Sequence, residues 1–233
     1  MAAIVLHDLG RRDDALQRFE TATTAARESG DRRLRAWVLA RKAMVPANYG
    51  APRLAAQIAE QARRAAGKAD SAAAALAASV AARAYAASGQ PDAAEDALRD
   101  ADRIAGRLSG AEAADTWLGY CPQKHQVHRS QALTLLGDTA AARESQRNGI
   151  ALSTAAGMTC TLMLLDGAVC TLRDGDPLSA CDEAAAAVTQ APGRYRAGLV
   201  QQRAVVLYRS APVGARGTVQ GRKLAEVLAL PAR

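Results

Sequence analysis

The chain has 233 residues, of which 49% are hydrophobic, 23% charged and 3% aromatic, with 30 basic side chains against 23 acidic ones and a net charge of +7. The longest apolar stretch, "MTCTLMLLDGAVCTL", is broken by Asp166 and is too short to span a bilayer, and the N-terminus carries no secretory pattern. Cys121, Cys160, Cys170 and Cys181 form no pairing motif, so membrane-spanning, secreted and disulfide-framework classes are excluded and a reducing cytoplasm is expected.

Read in chain order, the sequence repeats. Gly10, Gly50, Gly89, Gly137 and Gly175 follow one another at 40, 39, 48 and 38 residues. Seven before them stand Ala3, Ala43, Ala82, Ser130 and Ala168, and five after come Ala15, Ala55, Ala94, Ala142 and Ala180. Twelve after come Ala22, Ala62, Ala101, Gly149 and Ala187. Small residues at fixed offsets from a turn glycine let two antiparallel helices approach to about 8–10 Å. A hairpin so built cannot bury its apolar face alone, so such units stack.

The spacing predicts helices over 1–9 and 12–29, 32–46 and 52–66, 71–88 and 91–107, 122–136 and 139–154, and 158–173 and 177–190. Asp31, Asp70, Asp138 and Asp176 are candidate N-caps, and Pro91 and Pro177 stand at first helical positions. A sixth pair, 194–209 and 218–229, lacks the small-residue register and reads as a degenerate cap. The expected division is therefore 1–190, repeats with a shortened first hairpin opening at Met1, and 191–233, a basic capping hairpin.

The three small positions, with Phe19 and Leu98 nine after their glycines and Tyr85 four before, resemble the tetratricopeptide repeat over roughly residues 1–190. The period is nearer 40 than 34 and the large aromatic positions are mostly Ala, Gln or Thr; the longer second helix is similar to the variety found in bacterial regulatory proteins. The stretches "VLHDLGRRDDALQRF", "RAWVLARKAMVPANYG" and "DTWLGYCPQKHQVHRSQALTLLGDTAAARE" resemble the C-terminal repeat region of actinobacterial helix-turn-helix transcriptional regulators. The resemblance implies an all-α fold, a right-handed α-solenoid of five to six hairpins. It also implies a non-catalytic protein- or peptide-binding scaffold, the sensory or interaction part of a transcriptional regulator whose DNA-reading domain lies upstream.

Charge and irregularities refine this. Residues 191–233 hold eight basic side chains against Glu226, so the whole excess of seven lies there and the repeats are neutral. Direct nucleic-acid contact is not expected, because a duplex-binding stripe is missing from the repeats, although the C-terminal segment offers a small basic surface as an alternative. The 48-residue interval carries an insertion between Leu108 and Pro122, with a short helix expected to end near Gly119 and with Trp117 and Tyr120 plugging the gap it leaves. Cys121, His125 and His128 share a helical spacing, with Asp115 or Glu112 as further donors, but one helix rarely presents three ligands tetrahedrally and Pro122 displaces Cys121. No metal and no cofactor is expected, and no Walker loop, GxSxG elbow, HExxH or GxGxxG pattern points to an enzyme.

In tetratricopeptide arrays the first helix of each hairpin lines the concave groove. Those offsets select Trp37, Met44, Asn48, Arg83, Lys124, Gln131, Leu165 and Arg173, a mixture of apolar surface with amide and cationic donors suited to an extended or helical peptide. The insertion adds Trp117, Tyr120, His125 and His128 as candidates. The partner class is a protein or peptide, with a homodimer through the incomplete first hairpin as the alternative.

Overall fold

The computed structural model describes residues 1–153 and 157–230. The chain is all-α, with fourteen α-helices and no strand among the described residues. In order these are α1 (Ala2–Asp8), α2 (Arg12–Glu28), α3 (Arg32–Asn48), α4 (Pro52–Ala66), α5 (Ala72–Ala87), α6 (Pro91–Ala105) and α7 (Gly110–Ala113). They are followed by α8 (Pro122–Leu136), α9 (Thr139–Ala151), α10 (Met158–Arg173), α11 (Pro177–Gln190), α12 (Leu199–Ser210), α13 (Val213–Arg216) and α14 (Val219–Val227). No helix is long and apolar enough to cross a membrane among the described residues.

The repeated glycines end helices in one way. Gly10, Gly50, Gly89, Gly137 and Gly175 all take left-handed φ, between 74° and 95°. In each turn the N–H after the glycine donates to the carbonyl five residues earlier: Arg11 to Leu6, Ala51 to Pro46, Gln90 to Tyr85, Asp138 to Leu133 and Asp176 to Thr171. This is the Schellman arrangement, which satisfies the last carbonyls of one helix and reverses the chain. The next helix then starts on proline in α4, α6 and α11, as does α8 after the insertion, where the missing N–H costs nothing.

The caps differ from expectation at one place. Asp31, Asp138 and Asp176 accept N-cap hydrogen bonds, but α5 is capped by Ser71, whose Oγ accepts from Ala74 N–H. Asp70 instead pairs with Arg103 and Arg107. Helix α3 runs two residues beyond its expected end, carrying Pro46 inside it, and α9 stops at Ala151. Position 154 of the expected α9 and positions 231–233 of the expected cap lie outside the described residues.

The small-residue register is the packing register. Of the fifteen positions, all but Ala22 are buried. Gly149 stands where the other hairpins have alanine because a Cβ there would lie 2.4 Å from Met163 Sδ. The two helices of each pair α1–α2, α3–α4, α5–α6, α8–α9 and α10–α11 pack on one another, and the first helices of successive pairs also touch: α3 on α5, α5 on α8, α8 on α10 and α10 on α12. Helix α5, with the sequence AAAALAASVAARAYAA, packs against α3, α4, α6 and α8, and thirteen of its sixteen residues are buried. Only side chains this small let four helices close on one.

Helix α12 packs back on α3, so α3, α5, α8, α10 and α12 make a closed inner layer. The closure is sealed by the turn after α1. Gly198, at φ +67°, lies so near it that a Cβ would sit 2.1 Å from the Asp8 carbonyl oxygen. Leu162, Cys181, Leu207 and Leu224 share one core cluster, so the packing is continuous across the expected boundary at residue 190.

The insertion contains the short helix α7, which ends at Ala113 rather than near Gly119, followed by an irregular run to Cys121. Glu112 ties it down: its Oε2 accepts from the Ala72 N–H at 2.6 Å and its Oε1 from Arg33 at 3.1 Å. A carboxylate at the first turn of α5 complements the positive end of that helix.

Candidate functional site

The inner helices carry polar side chains at positions fixed by the repeat. Nine before their glycines stand Arg41, His128 and Asp166; six before stand Met44, Arg83, Gln131 and Val169; two before stand Asn48, Ala87, Leu135 and Arg173. The closed inner layer brings them together in two halves.

The half toward the insertion is sealed. Tyr120 is 2% exposed; its hydroxyl lies 2.7 Å from Ser79 Oγ and 3.4 Å from His125 Nδ1. On its other side His125 Nε2 is 2.9 Å from Asp102, which also accepts from Arg129. Burial pushes the Tyr120 hydroxyl well above its ordinary pKa, while His125 and Arg129 hold the Asp102 carboxyl low against the opposing effect of burial. Tyr120 thus plugs the gap made by the insertion, whereas Trp117 is 51% exposed and plugs nothing.

The other half opens outward. A cavity of about 490 Å³ lies at the C-terminal ends of α3, α5, α8, α10 and α12. Its walls include Leu135, Val169, Leu172 and Val206, and its floor is Asn48, Gln131, Asp166 and Arg203. Arg203 donates to Asp166 Oδ1 at 2.5 Å and to the Gln131 side-chain oxygen, while Ser130 Oγ donates to Asp166 Oδ2 at 3.0 Å. Burial pushes the Asp166 carboxyl up, and the Arg203 cation draws it back.

Between the halves sits Arg83, the one charged residue of α5 and only 3% exposed. Its guanidinium donates to Asn48 Oδ1 at 2.6 Å and to His128 Nδ1 at 2.9 Å, so His128 is the Nε2–H tautomer. The Arg83 Nε has no hydrogen-bond partner among the described residues. Burial, with repulsion from Arg203, lowers the Arg83 pKa to about 9; burial and the Arg83 cation hold His128 neutral.

Of the eight groove candidates, Asn48, Gln131 and Arg173 line this cavity. Arg173 also donates to the Leu135 carbonyl at 3.1 Å, laying a cation on the C-terminal end of α8. Arg83 lies beneath the floor, and Leu165, 2% exposed, packs between helices. Trp37 is buried at the opposite end, beside a second space of about 300 Å³ and under the Arg41 guanidinium at 4.8 Å. Met44 is half-buried against the main core. Lys124 is spent on the insertion, donating to the carbonyls of Thr116 and Gly119 and pairing with Asp115. The closed inner layer is the reason: residues that would face an open groove face one another.

His125 and His128 point to Asp102 and Arg83, and Cys121 Sγ sits 3.6 Å from Asp115 Oδ1. Among the described residues no group of three or more His, Cys, Asp or Glu side chains could hold a metal ion. The basic C-terminal segment is largely absorbed into the fold. Arg203 is in the floor, Arg196 donates to the Ala191 and Thr189 carbonyls, Lys223 pairs with Asp182, and Arg194 and Arg216 lie over Tyr195 and Tyr208.

Asp166 and Arg203 are the floor residues that sequence reasoning missed. Asp166 breaks an apolar run at the same offset as His128, which was the available signal; Arg203 belongs to a segment without the register and carried none. No protein-family model matches this sequence, and no curated protein and no solved structure matches it.

Proposed function

We propose that this chain is a non-catalytic binding scaffold of tetratricopeptide-like hairpins stacked as a right-handed α-solenoid. In this reading it is the cytoplasmic sensory or interaction part of a bacterial transcriptional regulator, and a protein or peptide partner is captured at the C-terminal ends of the inner helices. The observation that carries the reading is the cavity of about 490 Å³, within the range of ligand pockets, with apolar walls and convergent polar groups on its floor. The five Schellman turns and the buried small-residue register support the repeat assignment. The buried titratable groups are bonded to one another and face no second reacting group in the cavity, which favours binding over catalysis.

The test is capture of partners from a library of C-terminally amidated peptides, compared with the Val206→Trp variant. Val206 is half-exposed on the cavity wall, so the larger ring fills the space without entering the core. Peptides retained by the native chain and lost by at least about tenfold in the variant support the reading. Equal retention by both removes the cavity as the binding site, and no capture by either removes a peptide as its occupant.

A further inference from the structure

The charges around the cavity do not balance. Arg173 and Arg203 line it, Arg83 lies directly behind Asn48 of its floor, and Asp166 is the only carboxylate in the lining among the described residues. Both Asp166 oxygens are already engaged, one by Arg203 and one by Ser130. Arg83 bonds to an amide and an imidazole, touches no carboxylate among the described residues, and keeps an unpartnered Nε. A buried guanidinium without a counter-ion is costly, and an anion held nearby lowers that cost. The lowered Arg83 pKa, with burial and Arg203 as its causes, expresses the same excess.

The shape sets the size of that anion. Helix α12 closes on α3, and the turn after α1 meets Gly198, so the inner layer is shut along its side. The inward end is shut by the Asn48–Arg83–His128 layer and by Tyr120. The cavity is therefore blind, whereas an extended peptide needs a groove open at both ends. Its walls of Ala87, Leu135, Val169, Leu172 and Val206 suit hydrocarbon. The inner helices end at its rim, where their carbonyl-rich ends disfavour an anion and where Arg173 is already bonded to one of these carbonyls, that of Leu135. The charge is thus directed inward and the hydrocarbon outward.

We propose that this cavity binds a small apolar monocarboxylate, with its carboxylate at Arg203 and Gln131 on the floor and its hydrocarbon body against Leu135, Val169, Leu172 and Val206. The inference rests on the cavity being the binding site of the scaffold, and replaces an extended peptide there by a compact effector. The bound carboxylate supplies the negative charge that Asp166 alone does not, and its hydrocarbon covers the half-exposed Val206.

The experiment is calorimetric titration of the full chain with decanoate, decanamide and decyltrimethylammonium. Decanoate is expected to bind, decanamide at least about tenfold more weakly, and the ammonium not at all, because a charge-assisted bond to a guanidinium is roughly twice as strong as a neutral one. Arg203→Gln should weaken decanoate by at least about tenfold, and Val206→Trp should abolish it. If Arg203→Gln fails to fold, the acid-against-amide ratio and Val206→Trp decide. Equal binding of acid and amide, preference for the cation, or decanoate binding unchanged in Val206→Trp would overturn the proposal. The amidated peptide library separates the two readings: peptides captured in a Val206-dependent way while decanoate does not bind sink the carboxylate and leave the scaffold standing. No peptide captured and no decanoate bound sinks both.

Discussion

The two halves of the inner layer are built from the same helices and the same kinds of side chain, yet one is sealed and the other opens into a cavity. Toward the insertion, Ser79, Tyr120, His125 and Asp102 form a continuous bonded row with a buried ring filling the space. Toward the helix C-termini, Asn48, Gln131, Asp166 and Arg203 are bonded comparably, but the walls above them are largely small and aliphatic side chains, with Arg173 among them, and no buried ring fills the space. Accessibility is thus decided by what each end of the stack receives. The extra segment 109–121 folds over the N-terminal ends of α3, α5 and α8, and no equivalent covers their C-terminal ends among the described residues.

The difference between the halves depends most on the plug. Tyr120→Ala removes a buried ring together with a hydroxyl partner, and is expected to destabilise the chain by about 3–5 kcal/mol in urea titration. Faster hydrogen exchange should concentrate in α5 and the start of α8. A loss below about 1 kcal/mol would mean that the ring does not seal that half.

The closure of the layer comes next. Gly198→Ala combines a left-handed backbone with a Cβ 2.1 Å from the Asp8 carbonyl oxygen, so about 2–3 kcal/mol should be lost. Gly214→Ala, inside α13 with open space around it, is the control, expected to lie within about 0.5 kcal/mol of the native chain. Equal effects of the two substitutions would show that α12 is not locked against the turn after α1.

A smaller effect is expected from pH. His128 faces Arg83 of α5, Arg41 of α3, His125 of its own helix and Arg203 of α12, and burial with the three guanidinium cations holds its pKa well below 6.5 in the folded chain. Below about pH 6.5 the unfolded chain takes up a proton that the folded one refuses, so the stability contributed by neutral His128 is present above that pH and falls as the pH is lowered. His128→Asn keeps an acceptor for Arg83 and should flatten the slope in melts between pH 7 and pH 5. An unaltered slope would assign the dependence to another group.

The smallest effect belongs to the outer surface, which neither half uses. Arg99 pairs with Glu95 and Asp96 on exposed α6 positions. Arg99→Ala should change stability by no more than about 0.5 kcal/mol, read from the urea midpoint.

Much of the fold was legible because turns are local. A glycine that must take positive φ, a proline that suits a first turn and small residues at a helix crossing are each dictated within a dozen positions. The expected helices therefore agree with α1 to α6, α8, α10 and α11 within two residues of their ends. The cap of α5 was misassigned because Asp70 and Ser71 are adjacent acceptors, and the choice depended on where Arg103 and Arg107 come to lie.

The candidate site was legible only in part, since the repeat fixes which residues face inward but not what they meet there. Asn48, Gln131 and Arg173 reach the cavity, whereas Arg83 and Leu165, read from the same kind of offset, are buried.

By itself the sequence determined the helices, their turns, the small-residue crossings and the segment in which the basic excess resides, because each depends on local backbone conformation or on composition. The tertiary structure alone decided that α12 returns to α3, that Tyr120 rather than Trp117 fills the gap beside the insertion, and that Arg203 leaves the basic segment to join Asp166. Those outcomes depend on how helices distant in the chain pack, which brings together residues as far apart as Gln131 and Arg203. No local pattern records that packing.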